Sequence, residues 1–171
     1  MTYSRPAKIF HWITAIAVIS TVPMGITMMR VGSGDLQNAL FFTHKSIGAL
    51  ILMVTAARLV WRLFHPAPPL VPGLPGWQVA AAKGSHLLLY VLLFAVPLLG
   101  WAGTSAFGAP VDFFGLFNLP QILEKDQALA ERLLGIHAVV ALSLAGLVLV
   151  HVSAALYHHF IRKDETLRRM I

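Results

Sequence analysis

Four long apolar runs, separated by short polar or proline-rich stretches, set the pattern of this chain. They extend from about Ile9 to Met29, Leu40 to Leu63, Val79 to Gly103 and Leu133 to Phe160. A helix rising 1.5 Å per residue needs about 20 residues to cross a hydrocarbon core about 30 Å thick, and each run is long enough. The pattern predicts an all-α integral membrane protein: a four-transmembrane-helix bundle, folded as one domain over residues 1–171. Pro23, Gly25 and Pro97 are tolerable inside such spans, because neighbouring helices re-satisfy the backbone groups they free. Between the runs, Gly32, Gly34 and Asp35 are turn formers, and HPAPPLVPGLPG reads as a stiff linker. The stretch from Thr104 to Gln127 reads as a longer loop whose FGLFNLP lies on the membrane surface. A basic tail, RKDETLRRMI, closes the chain. The first run reads as a retained helix rather than a cleaved leader. His11 and Trp12 open it, and Pro23-Met24-Gly25-Ile26 is a poor small-x-small cleavage site.

Composition and charge refine this picture. Only 12% of residues are charged, half of what soluble domains carry, and mean hydropathy is +0.74. The chain has no cysteine, which excludes disulfides, iron–sulfur ligation, thiolate-ligated haem and covalent c-type attachment together. Nine of the thirteen basic residues fall on the side that holds the N-terminus, the proline-rich linker and the C-terminus. Both termini are therefore expected in the cytoplasm. The net charge of +6 suits anionic lipid headgroups, not nucleic acid. Trp12, Trp61, Trp77 and Trp101 read as an interface belt.

The informative polar positions are the histidines inside the runs. His137 and His151 are 14 residues apart, so they share one face of the last helix, about 21 Å apart along its axis. The topology puts His44 at the depth of His137, near the outer leaflet. His11 and His86 both enter their helices near the depth of His151, towards the inner leaflet. Facing imidazoles across a four-helix core suit bis-histidine ligation of b-type haem. This pairs His44 with His137, and His151 with either His11 or His86; depth leaves that choice open. A lone intramembrane histidine is more often a helix–helix hydrogen bond, but five at paired depths favour a cofactor. A non-redox metal transporter is the competing chemistry. It is weakened because no Asp or Glu lies inside any run.

At these residues the chain resembles bacterial cytochrome b561, the small four-helix, di-haem inner-membrane cytochromes. RPAKIFHW, HKSIGALILMVTAARLVWRL with the following PAPP, and KGSHLLLYVLL carry the resemblance. So does IHAVVALSLAGLVLVHVSAALYHHFIRKDETLRRM, and the likeness covers nearly the whole length. It implies two non-covalent b haems in a multi-pass protein of the bacterial inner (cytoplasmic) membrane. His44 and His137 would hold the outer iron, and His11 and His151 the inner one; the choice of His11 over His86 rests on the resemblance.

Other positions carry two readings each. His86 is a haem-propionate or quinone contact, or a plain interhelical bond. His158 and His159 are solvated interface residues, or, as the resemblance suggests, part of a quinone site with His158 the stronger member. Arg58 and Arg62 are snorkelling anchors, and Arg58, the deeper, also suits a propionate. His65 reads as solvated. Gly48 and Gly146 admit either a flat ring or a close helix. The implied function is transmembrane electron transfer from a donor at the periplasmic face to membrane quinone. The resemblance points to an oxidoreductase that reduces quinone, with superoxide a proposed donor for some members. A haem-bearing anchor subunit that docks a periplasmic dehydrogenase or soluble cytochrome is the alternative of another class.

Overall fold

The computed structural model describes residues 2–171; Met1, first residue of the domain expected over 1–171, lies outside them. Four helices follow the four runs: α1 (Arg5–Met28), α2 (Asp35–Phe64), α3 (Gly76–Phe107) and α4 (Gln127–Tyr157). All four are long and apolar enough to cross a membrane, as the hydropathy pattern requires. Each begins before its apolar run, because the first turn depends on caps rather than on hydropathy. Pro6 sits in the first turn of α1, where its missing N–H is not needed. Asp35 opens α2, next to the positive end of the helix dipole. Asp126 caps α4 by accepting the Leu129 N–H at 3.0 Å.

α1 packs along α2 and α3 along α4, while α2 and α3 join the two hairpins and α1 touches α4 lightly. The inward face of every helix repeats at seven residues, the period of a left-handed bundle. The repeat gives three layers: His11, Arg58, His86 and His151; then Val18, Ile51, Leu93 and Leu144; then Gly25, His44, Gly100 and His137. All four members of the middle layer are buried and, with Ala17, form the apolar core. The core therefore separates two polar layers, each about 10 Å from it along the axis.

Each end of the bundle is closed. At one end, the segment expected as a surface loop folds into an antiparallel hairpin of β1 (Val111–Phe113) and β2 (Phe117–Leu119). Its turn holds Phe114 and Gly115 at φ 53° and 75°, the type I′ geometry that matches strand twist and that glycine favours. The fully buried Ser46 latches it: the hydroxyl donates to the Asp112 carbonyl at 2.8 Å and accepts the Phe114 N–H at 3.1 Å. Lys45 adds a bond to the Pro110 carbonyl at 2.7 Å. At the other end, α4 runs into a π-helical turn, His158–Arg162, and Lys163 reverses the chain at φ 56°. The basic tail is not loose but folds back as a strap. Trp12 Nε1 donates to the Met170 carbonyl at 2.9 Å, and Arg169 reaches the Pro69 carbonyl of the linker at 2.7 Å.

Candidate functional site

The layer nearest the hairpin brings His44 of α2 and His137 of α4 together, with ring centroids 6.1 Å apart. The backbones of these helices do not approach one another among the described residues, so the imidazoles meet across a diagonal of the bundle. His137 Nδ1 lies 2.8 Å from the Val96 carbonyl. A carbonyl can only accept, so Nδ1 carries the proton and Nε2 keeps its lone pair free, the tautomer a metal-ligating histidine needs. His44 Nδ1 is buried without a hydrogen-bond partner. Both rings lie against glycines. A Cβ on Gly100 would stand 3.1 Å from His137 Cε1 and Nδ1, and one on Gly25 would stand 3.1 Å from His44 Cε1. Any side chain there would press on the ring and force it to give by a few tenths of an ångström. A cleft between the helices is lined by His44, Gly48, Gly100, Trp101 and His137 and roofed by Val111 and Leu119 of the hairpin. A Cβ on Gly48 or Gly146 would meet nothing within 4 Å, so neither glycine serves a close helix contact.

In the opposite layer, His151 of α4 has two neighbours. The His11 centroid lies 6.3 Å away and the His86 centroid 5.6 Å. Arg58 completes the layer with its guanidinium carbon 5.4 Å from the centre of the Tyr90 ring, and the Tyr90 hydroxyl is buried without a partner. A cation beside an unused hydroxyl in an apolar bundle is a place for an anionic group, since charge-assisted bonds offset its desolvation.

The fit to haem can be tested on these distances. Iron bonded to two imidazole nitrogens at about 2 Å, each about 1.2 Å from its ring centre, sets the centroids about 6.4 Å apart. The His44–His137 and His11–His151 separations agree with that spacing; His86–His151 is shorter. Among the described residues no three His, Cys, Asp or Glu side chains converge as a metal cage. Two facing imidazoles suit a metal that brings its remaining ligands with it.

His158 continues the α4 seam seven residues beyond His151, about 10.5 Å further along the axis. Its Nδ1 is 2.6 Å from Asp164 Oδ2, and both side chains are mostly buried, 15% and 19% exposed. Thr166 N–H donates to Asp164 Oδ1 at 2.9 Å. Burial pushes the Asp164 carboxyl up, but bonds from Thr166 and His158 outweigh this and hold it below its ordinary value. His159 sits beside Phe160, with ring centroids 4.7 Å apart. His65 stacks flat on Trp61, 3.8 Å between centroids, outside both layers.

The sequence reading missed Gly25, Gly100, Tyr90, Ser46 and Asp164. The seven-residue repeat that marks α4 could have found the two glycines, because it also runs from His11 to Gly25 and from His86 to Gly100. Tyr90, the tyrosine set deepest inside an apolar run, carried a weaker signal. Nothing local identifies Ser46 or Asp164, whose partners lie on the hairpin and across a chain reversal.

Residues 2–171 match the family described as prokaryotic cytochrome b561. The chain is 37% identical to Cytochrome b561 homolog 2 of Escherichia coli over 99% of its own length and 90% of that protein. It is 31% identical to Cytochrome b561 homolog 1 of the same organism, over 99% and 96%. A Yersinia pestis protein named "Probable superoxide oxidase CybB" is 30% identical, over 94% of this chain and 90% of that one.

Proposed function

Because this chain belongs to the prokaryotic cytochrome b561 family, a haem-dependent transmembrane redox role in the bacterial inner membrane is its premise, and we propose how its residues perform it. Two b haems are held, one by His44 and His137 and one by His11 and His151. The observation that carries this reading is the pair of interhelical imidazole separations, 6.1 and 6.3 Å, on either side of an apolar core. Haem, when bound, supplies reversible one-electron change at iron.

The protein's own part is to hold, orient and insulate. Val96 and Gly100 fix His137 with Nε2 towards the cleft, and Gly25 gives His44 the same freedom. Arg58 and Tyr90 receive a propionate in the His11 layer, and His86 stands beside that site as a second polar contact. The core keeps water from the path between the layers. The basic bias of the terminal end orients it to the cytoplasm, leaving the hairpin at the periplasmic face.

Electrons enter at the hairpin face from a small one-electron donor, superoxide being the class suggested by the name of the Yersinia relative. They leave to a membrane quinone near His158, which lies on the inward seam beyond His151. Rapid mixing of pre-reduced protein with a ubiquinone analogue tests this exit. His158→Ala keeps both haem spectra and slows oxidation by about tenfold or more, equal to about 1.4 kcal/mol. His65→Ala, stacked on Trp61 away from the layers, leaves the rate unchanged. Wild-type oxidation in His158→Ala moves the quinone elsewhere, with His86 the next candidate.

A further inference from the structure

We propose that Asp164 is the positioning residue that orients His158 and balances its charge when the imidazole hands a proton to the reduced quinone. The inference rests on the reading that quinone binds at His158.

The local fold brings the two together across a reversal. The π-helical turn ends at Arg162, Lys163 takes a left-handed conformation, and the Asp164 N–H closes back on the His158 carbonyl at 3.1 Å. That bond returns the Asp164 carboxylate to the ring it follows by six residues. Its Oδ2 then lies 2.6 Å from His158 Nδ1 and 3.5 Å from Arg162 Nε, while Oδ1 accepts the Thr166 N–H. Arg162 is itself tied to Gln78 of α3 at 2.9 Å, so the strap, the turn and α3 fix the carboxylate jointly.

The chemistry follows from which atoms remain free. A carboxylate this well bonded stays an acceptor, so His158 Nδ1 carries a proton and Nε2 is the atom left to act. Reducing a quinone to a quinol adds two electrons, supplied by the one-electron donor at the far face, and two protons, one to each carbonyl oxygen. When Nε2 is protonated, the ring is a cation beside a fixed anion. Transfer of that proton to one quinone oxygen returns the ring to neutral; the cytoplasmic water phase replaces the proton at Nε2 and supplies the second proton to the other oxygen. The carboxylate does not change protonation at any point. Its charge holds the loaded ring in place and its bond aims Nε2.

Asp164→Asn separates charge from geometry, because the amide oxygen can still accept from Nδ1 but carries no charge. In the full-length haem-loaded protein, the limiting rate of haem oxidation by a ubiquinone analogue falls about tenfold. The half-saturating quinone concentration stays within about twofold, and Asp164→Glu restores most of the rate. Oxidation by ferricyanide, a one-electron acceptor that takes no proton, is unchanged. Equal slowing with quinone and ferricyanide would mean a structural staple and overturn the proposal. A wild-type quinone rate in Asp164→Asn beside a slow His158→Ala overturns the proposal alone. A wild-type rate in His158→Ala overturns the quinone site and the proposal with it.

Discussion

Gly100→Ala is the smallest change that isolates how the bundle holds a ligand. The added methyl would sit 3.1 Å from His137 Cε1 and Nδ1, closer than ordinary contact, so the ring must shift by a few tenths of an ångström. Overpacking of this kind costs about 1–3 kcal/mol. Alanine in place of glycine returns about 1 kcal/mol of helix propensity. Global stability therefore changes by no more than about 2 kcal/mol, and thermal unfolding is a poor readout. The local effect is sharper, because the shifted ring loosens the 2.8 Å bond from Nδ1 to the Val96 carbonyl. Such a bond is worth about 1 kcal/mol and makes the ligand more basic, which favours the oxidised iron. For one electron, about 1.4 kcal/mol corresponds to about 59 mV, so the midpoint of the haem held by His137 rises by up to about 40 mV. Potentiometric titration followed in the α band, with low-temperature electron paramagnetic resonance of the ferric protein, separates that haem from the one proposed at His11 and His151. The other haem stays at its wild-type potential. Gly135→Ala, on the exposed side of α4 with open space around it, moves neither. Unchanged potential and ferric g values in Gly100→Ala would refute the idea that the glycine seats the ligand.

Two further outcomes follow from the same geometry. Ser46→Ala removes both latch bonds of the hairpin, at about 1–3 kcal/mol of local stability, so amide exchange accelerates across Val111–Leu119 while the helices keep their protection. Exchange unchanged in the hairpin would show that Lys45 and the apolar contacts hold it without the latch. His11→Ala abolishes the low-spin spectrum of the haem held by His151, whereas His86→Ala leaves it low-spin with a shifted potential; the reverse pattern transfers the ligand role to α3.

Much of this arrangement was legible in one dimension because the bundle is simple. A membrane helix must be apolar almost all round, so four apolar runs reveal four helices, and a histidine within them stands out at once. The 14-residue interval between His137 and His151 is two heptads, which fixes a shared face without any tertiary information. The same interval ties His44 to Arg58, although the arginine stood out by its depth beside Arg62 rather than by this spacing. What hid were residues defined by what they lack. Gly25 and Gly100 matter through the ring each leaves room for, and glycine is common in membrane helices for other reasons. Depth could not separate His11 from His86, since both enter their helices at similar levels and both pack against His151. The two closures of the bundle hid for another reason. The hairpin and the strap are held by long-range bonds, Ser46 to Asp112 and Arg169 to Pro69, which no local pattern of polarity encodes.

We propose that four histidines, in two interhelical pairs, hold two haems in this single chain. Quantifying haem per polypeptide by the pyridine haemochrome assay on purified protein of known concentration tests it most directly. The account predicts two b haems per chain, low-spin in both oxidation states. All of it is removed by acid–acetone, since the chain has no cysteine to form a thioether. One haem per chain, or a high-spin ferric spectrum in the intact protein, would contradict it.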